Sequence, residues 1–225
     1  MLSEEQIRAN VLEVKNRIAQ AKRNSLAQEI TLVVASKTVS AEQINLLPKL
    51  GITIAGENRA DELVQKYPYV NGIEWHFIGA LQTNKVKKII DKVTLIHSVD
   101  RCNLVDEIQK ASERIEKITN ILVEINVGRE PQKSGVLPEN AQELIEYAKT
   151  KNALKVAGIM TVMPKHATEE LYEQMQWLHE RIKNDYGASI LSMGMSGDYE
   201  MAIKYGANMV RLGSAIFGER NNQKR

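Results

Sequence analysis

Lys37 closes an apolar, β-branched run at residues 30–38 (ITLVVASKT) whose composition is that of a buried parallel strand. Alternation along a strand puts Thr31, Val33, Ala35 and Lys37 on one face and Leu32, Val34, Ser36 and Thr38 on the other. The lysine amine therefore lies in line with the core. An amine withdrawn from bulk water tends toward a depressed pKa, which makes it a competent nucleophile for Schiff-base formation with a carbonyl compound. The other use of this position is a strand-end lysine that snorkels into solvent.

A second concentration of chemistry lies near the C-terminus. MGMSGDYE carries Ser196 and Gly197 just ahead of a helical pattern, where a hydroxyl and free backbone amides can converge on an anion. VRLGSAIFG adds Gly213, which lets a backbone approach closely, and Ser214, another donor. Taken singly, Ser196 would serve as an ordinary N-cap and Gly213 as a bulge or packing glycine. Arg211 interrupts the apolar Met209, Val210 and Leu212 and shares a face with Gly213. A buried guanidinium there requires an acceptor: a phosphate, a ring nitrogen or an internal carboxylate. Polar groups also fall at other strand ends, with Glu57 and Asn58 in AGEN, His76 in WHFIGALQTNK, and Asn126. His76 reads equally as a satisfied core histidine or a site residue. Core-facing polar groups gathered at one end of a barrel make a pocket.

The elements that must position these groups follow a regular beat. Ile7, Val11, Val14 and Ile18 stand at helical spacing behind a capping box of Ser3 and Gln6, so residues 1–26 begin with an amphipathic leading helix. Eight apolar runs follow, at 30–38, 53–58, 74–79, 95–100, 121–127, 156–162, 190–195 and 209–217. Helical patterns fill the gaps at 41–50, 60–67, 84–92, 103–117, 139–150, 168–185 and 199–205. Eight βα beats over about 200 residues predict an α/β chain closed into a (β/α)8 TIM barrel, with an open doubly wound sheet as the other arrangement. No linker or low-complexity segment divides the chain, so residues 1–225 are expected to form one domain with a frayed tail at 221–225. In such a barrel chemistry belongs at the C-terminal ends of the strands, and a phosphate site often forms after strands seven and eight.

Bulk properties exclude several classes. The 30 basic and 28 acidic residues leave a formal charge of +2, too balanced to favour nucleic acid or an anionic membrane. The basic run of Lys85, Lys87, Lys88 and Lys92 reads as a solvated helix face. Cys102 is the single cysteine, so no intramolecular disulfide can form and a reducing compartment fits best. The chain begins without a signal segment and has no apolar stretch near the ~20 residues that span a bilayer, so a cytoplasmic location is expected. No HExxH, paired His or Cys spacing, GxGxxG, Walker A or GxSxG motif occurs, and no metal site is expected.

The sequence resembles the pyridoxal phosphate homeostasis proteins, relatives of the N-terminal barrel of alanine racemase, over nearly its whole length. The resemblance is carried by ASKT around Lys37, GEN at 56–58, WHFIGALQTNK from Trp75, HSVD from His97, SMGMSGDYEMAI from Ser192 and VRLGSAIFG from Val210. It implies that Lys37 forms an internal aldimine with pyridoxal 5′-phosphate. It further implies that Ser196, Gly197, Gly213 and Ser214 hold the cofactor phosphate, that Arg211 faces the pyridine nitrogen, and that Asn58 and His76 lie near the ring. Two departures stand out: GEN continues as RADE, where many relatives have an aromatic and a glutamine, and Ala80 stands where a proline is common. An arginine beside the pyridine nitrogen disfavours its protonation and weakens the ring as an electron sink.

Racemases with this barrel take a tyrosine base from a second domain and a partner subunit, and this chain stops at Arg225, soon after strand eight. The leading expectation is therefore a monomeric carrier that holds pyridoxal 5′-phosphate reversibly, buffers the free aldehyde and delivers it to apo enzymes, with no catalytic residue assigned. The alternatives are an amino-acid racemase or related enzyme using Lys37 and a base such as His76, and a Schiff-base aldolase acting on a phosphorylated sugar.

Overall fold

In the computed structural model eight parallel strands close into a barrel, each paired with its sequence neighbour and β8 returning to β1. The strands are β1 (Thr31–Ala35), β2 (Ile54–Glu57), β3 (Glu74–Phe77), β4 (Val93–Val99), β5 (Thr119–Ile125), β6 (Leu154–Thr161), β7 (Ile190–Ser192) and β8 (Met209–Leu212). The structure describes residues 2–23, 25 and 29–219. The tail expected at 221–225 lies outside them, as do parts of the segment behind the leading helix.

Helix α1 (Glu4–Lys22) starts on the expected capping box and buries Ile7, Val11 and Val14. The helices that follow are α2 (Ala41–Ile44), α3 (Ala60–Lys66), α4 (Val86–Ile89), α5 (Cys102–Glu113), α6 (Ala141–Lys149), α7 (Glu169–Tyr186), α8 (Tyr199–Lys204) and α9 (Ser214–Phe217). Two expected helices are shorter than their patterns. The 41–50 segment breaks after α2 and resumes as a 3₁₀ turn at Pro48–Leu50, where proline brings no amide to the ladder. The 84–92 segment keeps a single α turn behind a 3₁₀ turn. Its lysines sit on carboxylates, Lys85 and Lys88 both on Asp61 and Lys92 on Asp91.

Strand alternation sorts the side chains into two layers. Outward residues such as Val34, Trp75, Phe77, Ile96, Val123 and Val210 join the large core beneath the helices. Inward residues form a small apolar cluster of Val33, Ile78, Leu95, Leu122, Met160 and Met209. His76, His97, Glu124, Ser192 and Arg211 are also buried, and hydrogen bonds between strands join the histidines to Ser192 and Arg211 across the barrel interior. Among the described residues no helix is long and apolar enough to cross a membrane.

Candidate functional site at the mouth of the barrel

The first strand stops earlier than its composition suggests. Pairing with β2 ends at Ala35 opposite Gly56, and the chain turns through residues 36–39, closed by the Val39 amide on the Ser36 carbonyl at 2.9 Å. Lys37 thus stands on a turn at the C-terminal end of β1. Thr38 turns the chain with φ +65°, a region unusual for a β-branched residue. Lys37 still shares the inward side with Ala35: both line a cavity of about 550 Å³ together with Asn58, Ile78 and Val162.

The other wall of that cavity is Met195, Ser196, Gly197, Gly213, Ser214 and Glu219, with Arg211 at its floor. Residues 209–217, expected to be one strand, divide at Gly213: β8 ends at Leu212 and the chain coils into α9, with the Phe217 amide on the Gly213 carbonyl at 2.9 Å. Ser196 does not cap the helix behind it, because Asp198 holds that place and accepts from the Met195 amide at 2.6 Å. Instead the Ser196 hydroxyl oxygen accepts from the Gly213 and Ala215 amides at 3.2 and 3.1 Å, tying the loops after β7 and β8 together. Its proton remains available to an occupant of the cavity. A methyl group at Gly197 would meet nothing within 4 Å, whereas one at Gly213 would stand 3.3 Å from the Ala35 methyl. Gly213 is thus where β8 must approach β1 closely.

Arg211 finds its acceptors inside the protein. One terminal nitrogen donates to the Ser192 carbonyl and hydroxyl at 2.9 and 2.7 Å, and the other to the Thr161 carbonyl at 2.8 Å. Burial pushes the guanidinium down to about 10, against the pull of Glu124 and Asp198, so it remains charged near neutrality. Its unused protons can face the cavity.

His76 is not brought to the cavity. It lies one inward step below Ile78, its Nδ1 3.0 Å from Nε2 of His97, whose Nδ1 is 3.0 Å from the Ser192 hydroxyl. Burial holds both rings neutral, His76 at about 4 despite nearby Glu74, and His97 well below its usual value with His76 and Arg211 adding to the effect. With both rings neutral, one order that satisfies these bonds has Arg211 donating to Ser192, Ser192 to His97 and His97 to His76. His76 therefore reaches Arg211 only through His97 and Ser192.

Glu57 and Asn126 also turn away from the cavity. Glu57 is fully buried against Lys66 of α3. Asn126 organises its own loop, accepting from the Glu130 amide at 3.1 Å and donating to the Glu130 carbonyl at 2.9 Å. Glu124 escaped the sequence reading, although the inward alternation of β5 could have exposed it. Burial, assisted by Asp100 and opposed by Arg211, pushes its carboxyl up to about 7. A second cavity of about 850 Å³ meets the first at Asn58 and has on its lining both departures noted in the sequence, the RADE segment at 59–62 and Ala80.

A lysine on the rim of a parallel barrel, across one cavity from two serines, two glycines and a buried arginine, defines a barrel that can capture a small anionic carbonyl compound. The comparisons agree with that class. The family model described as "Alanine racemase, N-terminal domain" matches residues 2–221. The chain is 45% identical over 197 residues to the pyridoxal phosphate homeostasis protein of Aquifex aeolicus, covering 84% of this chain and 86% of that one. It is 33% identical over 222 residues to the protein of the same name from Pasteurella multocida, covering 94% of each. PipY of Synechococcus elongatus, solved with PLP bound, superposes with a TM-score of 0.78 at 25% identity, over 90% of this chain and 99% of that one. An alanine racemase of Clostridium difficile shares the fold, with a TM-score of 0.74 at 17% identity, over 96% of this chain and 58% of that one. The chain belongs to the pyridoxal phosphate homeostasis protein family, within the alanine racemase N-terminal domain family.

Proposed function

We propose that this protein binds pyridoxal 5′-phosphate through Lys37 and acts as a carrier and buffer of the cofactor, from which apo enzymes draw. The observation that carries this reading is that one cavity is lined by Lys37 on one side and, on the other, by Ser196, Gly197, Gly213 and Ser214, groups able to hold an anion. The residues present fit such a ligand. Asn58 Oδ1 is buried without a partner and can accept from a ring substituent. The Ser196 hydroxyl, the Ser214 hydroxyl and the open loop at Gly197 can surround a phosphate. Arg211, held rigidly by Ser192 and Thr161, presents positive charge at the cavity floor. When bound, pyridoxal 5′-phosphate supplies the aldehyde with which the Lys37 amine condenses.

The racemase reading that takes His76 as its base is disfavoured by where the histidines sit. A second proton-transferring group has to reach the reacting carbon, about 3 Å from it or through one water. His76 and His97 are buried below the cavity floor, bonded to each other and to Ser192, and held neutral. They orient Arg211 and do not face the cavity.

The test is an absorbance titration with pyridoxal 5′-phosphate, followed by borohydride reduction and mass mapping. Wild-type protein is expected to gain reducible cofactor mass on Lys37, and Lys37→Ala to gain none. Equal labelling of both would overturn the assignment of Lys37. Incubating loaded protein with L-alanine in deuterated water then separates carrier from enzyme. Exchange at the α-carbon no faster than with free cofactor supports the carrier, and enzyme-like exchange sinks it.

A further inference from the structure

The two peptide groups that flank Lys37 are held by one ion-pair network behind the cavity. On the N-terminal side, the Ser36 carbonyl accepts from Lys66 Nζ at 2.7 Å. On the C-terminal side, the Thr38 amide donates to Glu62 Oε1 at 2.5 Å. Lys66 and Glu62 are themselves paired at 2.6 Å, one turn apart on α3. Lys66 also reaches the fully buried Glu57 at 2.9 Å. Glu57 in turn accepts from the Ser36 hydroxyl at 3.0 Å and from the amide of Asn58, which lines the cavity, at 2.8 Å.

This arrangement is more than ordinary helix docking. Thr38 occupies the left-handed region, where a β-branched side chain is strained unless its surroundings impose the conformation. The Glu62 carboxylate and the Lys66 ammonium hold the turn from its opposite ends, beside the Val39–Ser36 bond that closes it. Lys37 itself is a long, flexible chain, so the direction of its amine depends on the backbone from which it springs.

We propose that Glu62 and Lys66 are positioning residues for Lys37, locking its turn so that the amine meets a carbonyl held in the cradle. They act on covalent capture and leave the affinity of the cradle for a phosphorylated ring unchanged. The proposal rests on the assignment of Lys37 made above.

The experiment compares two ligands across variants. Pyridoxal 5′-phosphate reports capture, by the rate of growth of the visible band. Pyridoxine 5′-phosphate has an alcohol in place of the aldehyde and reports the cradle alone, by calorimetry. Glu62→Ala and Lys66→Met are expected to slow capture about tenfold or more, since misplacing a reacting group by a fraction of an ångström has effects of that size. Their pyridoxine 5′-phosphate affinity should stay within about twofold of wild type. Glu62→Gln keeps an acceptor for Thr38 and should fall between, and it serves if Glu62→Ala does not fold. Adding Thr38→Gly to Glu62→Ala should restore part of the rate, because glycine adopts the turn without strain. Capture at the wild-type rate in Glu62→Ala and Lys66→Met would overturn the proposal. So would a parallel loss of both ligands, which indicates a merely structural role. Absence of a reducible adduct in the wild type would instead overturn the assignment of Lys37.

Discussion

The two walls of the cavity are built by opposite means. Behind Lys37 the backbone is fixed by charges: Glu57 fully buried, Lys66 with only 11% of its side chain exposed, and Glu62 closing the turn. The wall from β7 and β8 relies mainly on neutral groups, a serine hydroxyl that gathers two amides, two glycines and a second serine, with Glu219 also on its lining and Arg211 at the floor. The difference matches what each wall has to do in the proposed carrier. An amine that must attack a carbonyl needs aiming, and an interlocked buried ion pair is rigid because breaking it leaves an uncompensated charge. An anion that must be released again is better met by several modest donors whose geometry is set in advance. Under the proposed carrier role, the charged wall governs capture and the wall from β7 and β8 governs affinity.

Four substitutions separate these roles, beginning with the most severe. Lys37→Ala should abolish reducible adduct while pyridoxine 5′-phosphate still binds in calorimetry. Loss of both would erase the distinction between the walls. Ser196→Ala removes the acceptor of the Gly213 and Ala215 amides along with the donor facing the cavity. It should weaken pyridoxine 5′-phosphate by about tenfold or more and cost about 1–3 kcal/mol in denaturant unfolding.

The third concerns the interior below both walls. The Glu124 carboxyl is raised from 4.5 to about 7 by burial, so the folded protein binds its proton more tightly than the unfolded chain. That contribution to stability is complete below pH 4.5 and is lost as pH rises through 7. Glu124→Gln, which cannot ionise, should gain on wild type across this window, by on the order of 3 kcal/mol at most. Melting curves from pH 5 to 8 check the sign, and a gap that narrows with rising pH would contradict it. His76 works the other way, because its lowered value gives stability that is full above pH 6.5 and is lost as pH falls toward 4. Last, Arg129→Ala breaks only an exposed pair with Glu139. Melting temperature and both ligand readouts should match wild type.

Much of this architecture was legible before any coordinates. Short β-branched runs separated by amphipathic stretches carry the eight-fold beat, because burial on both sides of a parallel strand leaves few other compositions. Lys37 was assigned to the correct face although the strand ends at Ala35. Helices 41–50 and 84–92 were overdrawn, since amphipathic spacing persists through turns that the backbone does not continue as α-helix. His76 carries the strand-end polarity of a site residue, but such polarity does not mark depth, and the ring lies outside the cavity lining. Its partner His97 is 21 residues away, and Ser192 is a further 95 from His97, so nothing local announces the chain of bonds.

The sequence by itself determined the eight βα units, the amine on the inward face of the first strand, the two glycine and serine loops that can cradle an anion, and membership in the family. Each is written in short windows of residue type and spacing, where strand alternation and steric rules act locally. Only the tertiary structure decided which groups the inward residues meet. Barrel closure sets His97 within reach of Ser192, gives Arg211 its internal acceptors, leaves His76 beneath the cavity and brings Glu62 and Lys66 onto the peptides beside Lys37. Those relations depend on register and on which strands face one another across the barrel, and neither is contained in any single stretch of the chain.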